Sequence, residues 1–338
     1  MYRSVAGSVY LHLKYNLLTH WILYRIAKII REGTAPTVTV CIEGKFGIGK
    51  TCYAVNCMLG SLVCLYYLSL KRKSSFRLYG SGESISIPRQ EEILNIYPEL
   101  EEVFNGLDVG NYTPLINYVR KYVAFTPFEL LNIQEEALRD RRPLPFILLD
   151  DAGSFFARGG WLGFPKEWKQ AISLIISNLP MIRTVTGTFI LTAPTVRSIL
   201  TGFVRFIDRT IIIVRLPATQ YETIGDTIVK IDRGAYYHVK RYRAVGGIRG
   251  EAFTRLNKLP RPIAYPHLRE AEPILEDVWK IRKEWMLHVQ EKARALLARA
   301  EEEIPEGSET IRRLLYTKKG NREEKRSKTA SREEVEAG

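Results

Sequence analysis

Two kinds of apolar pattern alternate along this chain. Short unbroken apolar runs bounded by turn residues are interleaved with longer stretches whose apolar positions recur at helical spacing, which predicts an α/β architecture with a mostly parallel central sheet flanked by helices. Thr37–Ile42 is β-branched and apolar, as suits a central parallel strand buried on both faces. It runs directly into a glycine-rich loop. Residues 51–70 then form a helix that is apolar almost all round, the composition of a helix enclosed between a sheet and other elements. Tyr122–Thr126 predicts a second strand, followed by a helix over 127–141. Phe146–Leu149 predicts a third strand, residues 165–182 a helix, Gly187–Thr192 a fourth strand and Thr210–Val214 a fifth.

Between residues 71 and 117 the pattern loosens. This segment opens with Lys71-Arg72-Lys73, contains Tyr79-Gly80-Ser81-Gly82-Glu83, and predicts one helix over 89–105 with Glu91, Glu92, Glu101 and Glu102 on its wet side. It reads as an insertion. Beyond residue 216, Asp226–Ile231 and Ala235–Arg243 predict a β-hairpin turning at Asp232-Arg233-Gly234. Residues 270–303 predict a long charged helix, and the mixed charge after Pro305 predicts disorder. Four regions follow: an N-terminal helical segment at 1–35, a core at 36–217 with the 71–117 insertion, a hairpin and helical region at 218–303, and a charged tail at 304–338.

Residues 16–31 are too short and too polar to span a bilayer, and no small-residue cleavage site follows them. The favoured reading is a helix packed on the core, because amphipathic stripes are usually core faces. The alternative lays it on a membrane surface, with Trp21 and Tyr24 at the interface and Arg25 and Lys28 near headgroups.

Composition adds two constraints. With 50 Lys and Arg against 37 Asp and Glu, the 338-residue chain carries a formal charge of +13, which favours a polyanionic partner such as DNA. A basic host proteome or a basic tail would also produce that surplus. The four cysteines, Cys41, Cys52, Cys57 and Cys64, lie in or beside the first strand and helix. Their spacings match no zinc pattern, so they read as buried free thiols of a cytoplasmic protein with no structural zinc and no disulfide framework.

The chemistry concentrates at Gly44-Lys45-Phe46-Gly47-Ile48-Gly49-Lys50-Thr51. Glycines there let backbone N–H groups curl around phosphates, and the helix that follows offers free donors and a positive dipole end. Lys50 is expected to reach the terminal phosphates of ATP, Thr51 to bind Mg2+, and Cys52 to complete the segment lining the nucleotide. Asp150, at the end of the third strand, is the candidate second magnesium group, and Asp151 the candidate for orienting and polarising the attacking water. The alternative for this aspartate pair is a cap or turn leading into Gly153. Thr192 ends the fourth strand, where a hydroxyl could sense the γ-phosphate or hold the water; a plain strand end before Pro194 is the alternative. Arg197, Arg205 and Arg209 follow, and one of them is a candidate arginine finger across a subunit boundary. His238–Arg243 alternates basic with aromatic or apolar residues, a pattern that suits phosphate contact and base stacking as well as an ordinary solvated strand.

Over residues 36–216 this order resembles the additional-strand P-loop ATPases, especially AAA+ proteins of the helicase-loader and replication-initiator kind (DnaC- and DnaA-like). Gly44–Thr51, Val123–Leu130, Phe146–Gly153, Ile190–Thr192 and Arg205-x-x-x-Arg209 carry the resemblance. It implies a Mg-dependent, oligomeric ATPase acting on DNA in replication initiation, helicase loading or translocation. By the same likeness Asp150 is the metal carboxylate, Asp151 takes the usual glutamate position, Thr192 resembles sensor 1 and Arg205 the finger. A hairpin stands after residue 216 where those proteins carry a helical lid. The chain also resembles ATPases of archaeal viruses and plasmids, and its fourth and fifth strands suit packaging and translocating ATPases of the FtsK/HerA type. The alternative function is a membrane-associated secretion, virion-assembly or DNA-packaging ATPase, resembling zonula-occludens-toxin-like proteins.

Overall fold

The computed structural model describes residues 9–10, 12–13, 16–33, 37–71, 75–77, 84–140, 142–155, 166–199, 204–224, 227–245, 248–262 and 268–302. The sheet is built around β1 (Val38–Glu43), whose six residues pair in parallel with β6 (Thr186–Ala193) on one side and β7 (Arg209–Ile224) on the other. β6 pairs in parallel with β5 (Leu144–Leu149), and β5 with the short β4 (Val123–Ala124). Beyond β7 the sheet continues with two antiparallel strands, β8 (Thr227–Val245) and β9 (Ile248–Pro262). The order is therefore β4-β5-β6-β1-β7-β8-β9. One strand, β6, stands between β1, which leads into the glycine loop, and β5, which is followed by Asp150.

The buried strands have the composition this layout demands. Every residue of β5 and β6 is buried, and so is all of β1 except its last residue, Glu43. α2 (Lys50–Ser69) leaves the loop as a core helix, with Tyr53, Cys57, Leu59, Leu62 and Cys64 fully enclosed. Among the described residues it is the one helix long and apolar enough to cross a membrane, and most of it is buried inside the protein. Burial pushes the Cys57 thiol up to about 12 and raises the Cys64 thiol as well. Cys41 is buried too, and Cys52 is half-buried.

α1 (Leu17–Glu32) packs against α2 and across β5 and β6. Leu18, Ile22, Leu23 and Ile26 are fully buried, at about 1.5–3 kcal/mol each in transfer terms. Trp21 and Tyr24 are only 6% and 8% exposed. The two aromatic anchors of the membrane-surface alternative for 16–31 are thus spent inside the core, and the packed-helix reading holds.

The 71–117 segment differs from expectation in detail. Its single helix over 89–105 is two, α3 (Gln90–Ile96) and α4 (Leu100–Val109), preceded by a two-stranded ribbon of β2 (Ser75–Arg77) and β3 (Ser84–Ser86). Pro98 explains the break: it offers no N–H and disfavours helical geometry at Tyr97, whose φ and ψ are −124° and 71°. α5 (Thr113–Arg120) then leads into β4, and α6 (Pro127–Asp140) connects β4 to β5.

The hairpin expected to turn at Asp232-Arg233-Gly234 is also corrected. Those residues lie inside β8, with Arg233 opposite Arg215 and Gly234 opposite Val214. The irregularity falls on β7 instead, between Arg215 and Gln220, a stretch containing Pro217. Proline cannot donate to a ladder and is tolerated in strands at such bulges. β7 also crosses residue 217, so the boundary expected there falls within a strand.

α7 (Ala152–Phe155) and α8 (Lys166–Val185) connect β5 to β6. The final helix, α9 (Leu268–Glu302), passes from the first of two compact units, Met1–Lys280, into the second, Ile281–Gly338. In the first unit Ala271, Ile274, Leu275 and Val278 are buried, and Asp277 pairs with Arg120 at 3.1 Å. In the second the Trp285 and His288 rings lie 5.9 Å apart. Arg72, Lys73, Tyr79–Glu83 and the tail at 304–338 lie outside the described residues.

Candidate nucleotide-binding site

The site forms where the C-terminal ends of β1, β5 and β6 meet. The loop after β1 cannot be built from ordinary residues. A Cβ on Gly44 would stand 2.8 Å from Ile48 Cγ2 and 3.0 Å from the Ile213 carbonyl oxygen, and Gly47 and Gly49 adopt φ of +72° and +94°. These left-handed turns fold the loop over the first turn of α2. Lys50 lies inside the curve, its Nζ donating to the carbonyls of Gly44 at 2.9 Å and Lys45 at 3.1 Å. Lys45 and Phe46 form the exposed lip. Phe46 is 81% exposed, and Lys50 Nζ stands 5.5 Å from its ring centre. Ile48 and Cys52 are half-buried.

Asp150 is fully buried, and its carboxylate is the hub of the site. Thr51 Oγ1 donates to Asp150 Oδ1 at 2.7 Å, and Thr192 Oγ1 donates to the same oxygen at 2.7 Å. The Thr192 oxygen in turn accepts from the Asp151 N–H at 2.7 Å. Three chain-distant segments are thereby locked together: the start of α2, the end of β5 and the end of β6. Register explains the convergence, because β5 and β6 pair through Leu149 and Leu191, placing the next residues, Asp150 and Thr192, side by side. Thr51 and Asp150, the two expected magnesium groups, are brought together, and Thr192, expected at the γ-phosphate or the water, bonds to both aspartates.

Asp151 is placed differently from its neighbour. It is partly exposed and has φ of +50°, a left-handed conformation that aspartate tolerates better than most residues. Its Oδ2 accepts from Ser154 Oγ at 2.7 Å and its carbonyl accepts from Ser154 N–H at 2.8 Å. The carboxylate and carbonyl of Asp151 thus both hold Ser154 in the turn that leads through Gly153, as the turn alternative for this aspartate describes.

The arginines separate by position. Arg205 is exposed ahead of β7. Arg209 begins β7 opposite Val40, with its guanidinium 5.8 Å from the Trp21 ring centre. Arg197 stands in a 3-10 turn at Val196–Ser198. On β8, pairing sets Lys240 opposite Phe253, Arg241 opposite Ala252 and Arg243 opposite Gly250.

Two acidic residues that the sequence reading passed over belong to this framework. Glu43, the last residue of β1, accepts from the Val196 N–H at 3.2 Å. Asp208 Oδ2 accepts from the Thr39 N–H at 2.8 Å, and the Asp208 N–H donates to the Thr39 carbonyl at 2.9 Å. For Glu43 the available signal was a carboxylate ending an otherwise uncharged strand.

The motif, strand order and cradle geometry are those of a P-loop fold. No family model matches the chain. No curated protein matches it. Among solved structures, a KaiC-like protein from the hyperthermophilic archaeon Pyrococcus horikoshii aligns over 67% of this chain and 89% of its own, at 13% identity and a TM-score of 0.24. The flagellar accessory protein FlaH from Methanocaldococcus jannaschii aligns over 68% and 94%, at 14% identity and a TM-score of 0.22. Nothing about individual residues transfers at such scores, and the site rests on its own geometry.

Proposed function

We propose that this chain is a Mg-dependent ATPase that works as a homo-oligomer on DNA. The observation that carries the ATPase reading is the convergence of Thr51 and Thr192 on one oxygen of Asp150, directly beneath the glycine cradle. A hydroxyl and a carboxylate side by side at a helix N-terminus are hard oxygen donors of the kind magnesium takes when it also holds phosphate oxygens, so the residues fit the ion. When bound, magnesium would neutralise charge building on the transferred phosphoryl group.

The chain's own residues divide the remaining work. Lys50 would exchange the carbonyls of Gly44 and Lys45 for phosphate oxygens. The loop N–H groups would hold the phosphates. Asp150 would keep Thr51 aligned, Thr192 would fix the Asp151 backbone, and the Asp151 carboxylate would orient and polarise water. Arg205, exposed ahead of β7, is available to a neighbouring subunit's site.

DNA is supported by the +13 charge and by the basic alternation at His238–Arg243. A helicase-loader or initiator role is the finer form of this reading. Hydrolysis measured alone and with single- and double-stranded DNA tests it. ATP turnover that rises with DNA is the expected result. Turnover unchanged by either DNA would remove DNA from the proposal while leaving the ATPase.

A further inference from the structure

A short turn joins the two carboxylate-bearing edges of the site. β6 ends at Ala193, and the chain folds back with Ser198 N–H donating to Thr195 O at 3.0 Å and Ile199 N–H to Val196 O at 3.2 Å. On one side this turn presses on the segment after Asp151: a Cβ on Gly153 would stand 3.2 Å from Pro194 Cδ and 3.7 Å from Ser198 Oγ. On the other side the Val196 N–H donates to Glu43 Oε2. Glu43 lies in register with Ala193 and immediately precedes Gly44 of the cradle. The far end of the connection returns to the same strand, through the paired bonds between Asp208 and Thr39. β1 thus holds both ends of the connection in which Arg197 and Arg205 stand, and Val196, Ile199 and Ile207 bury themselves along it.

The Val196 N–H belongs to the first turn of a helix, where backbone donors need an acceptor from outside. A carboxylate is a strong acceptor for such a donor. We propose that Glu43 is a positioning residue: by holding the Val196 N–H it sets the Pro194–Ser198 turn relative to the phosphate cradle. The proposal rests on the ATPase reading for its effect on turnover, but not for its effect on the turn.

Positioning and proton abstraction make different demands. The hydrogen bond needs only an acceptor oxygen, which a glutamine amide also presents. A water-polarising base needs the carboxylate. Wild type, Glu43→Gln and Glu43→Ala therefore separate the two roles.

The first measurement is amide hydrogen exchange over residues 194–199 in the nucleotide-free protein, with β5 as the check that the variants are folded. Exchange at Val196 should quicken about tenfold or more in Glu43→Ala and stay near wild type in Glu43→Gln. The second is steady-state ATP hydrolysis. Glu43→Ala should lower kcat about tenfold with KM little changed, and Glu43→Gln should recover most of that loss. Unchanged exchange in Glu43→Ala overturns the proposal, as does a Glu43→Gln variant that keeps wild-type exchange yet loses turnover as fully as Glu43→Ala. An inactive wild type would defeat the ATPase reading alone, and the exchange result would still decide whether Glu43 sets the turn.

Discussion

Thr51 and Asp150 are 99 residues apart in the chain and 2.7 Å apart in the fold. One begins the helix after the glycine loop and the other ends β5, two strands away across the sheet. Their bond fixes the separation between the glycine loop and the carboxylate, the two groups that would share magnesium in the proposed site.

Thr192→Val tests the third member of this network. Valine keeps the shape but removes the hydroxyl that serves Asp150 and the Asp151 N–H. A fully enclosed site that loses such a partner should lose about 1–3 kcal/mol of stability. Thermal unfolding checks this, and turnover should fall more than nucleotide binding does.

Asp151→Asn should bind ATP and hydrolyse it slowly, because an amide cannot polarise water as a carboxylate does. Binding titrations and single-turnover rates measure the two effects separately. If Asp150→Asn gives that binding-competent, slow phenotype and Asp151→Asn does not, the roles of the two aspartates are reversed.

Arg205→Ala should bind ATP nearly normally and turn over slowly, by about 10³-fold for a finger donated between subunits. Mixing it with Lys50→Ala subunits should restore part of the activity, since one variant supplies the intact cradle and the other supplies Arg205. Mixed oligomers that form but recover nothing would exclude Arg205 from that role.

Alkaline pH should loosen the fold. Burial pushes the Tyr122 hydroxyl from 10.0 up to about 12 and the Cys57 thiol from 9.0 up to about 12. Burial also raises Tyr118 and Tyr97. Raised values mean the folded chain keeps protons that the unfolded chain releases, so stability is full below about pH 9 and falls as pH climbs toward 12. Calorimetric melting temperatures should decline across that window, and a flat profile would contradict the burial of these groups.

Much of this was legible in the sequence because it is local. The glycine loop needs glycines at set positions, and the apolar runs before and after it leave little choice of strand and helix. The helix break at Pro98 was missed, because the charge pattern over 89–105 suggested one continuous helix. What was not legible depends on pairing. Asp232-Arg233-Gly234 carries turn chemistry, but the strands pair through Ile224 with Thr227 and Val245 with Ile248, which leaves those three residues inside β8. The carboxylate of Glu43 stood out at the end of an uncharged strand, but its partner, a backbone N–H 153 positions away, could not be read from the sequence. The amphipathic pattern of 16–31 could not decide between lipid and protein, and only the burial of Trp21 and Tyr24 does so.

The central claim is that the Gly44–Thr51 loop and Asp150 form a working phosphate-transfer site, and phosphate release from ATP by wild type and Lys50→Ala, with and without Mg2+, tests it most directly. The expected result is turnover by wild type that requires Mg2+, with Lys50→Ala weakened in ATP binding and unable to hydrolyse, because the charge facing the terminal phosphates is gone. Normal turnover by Lys50→Ala, or turnover indifferent to Mg2+, would contradict it.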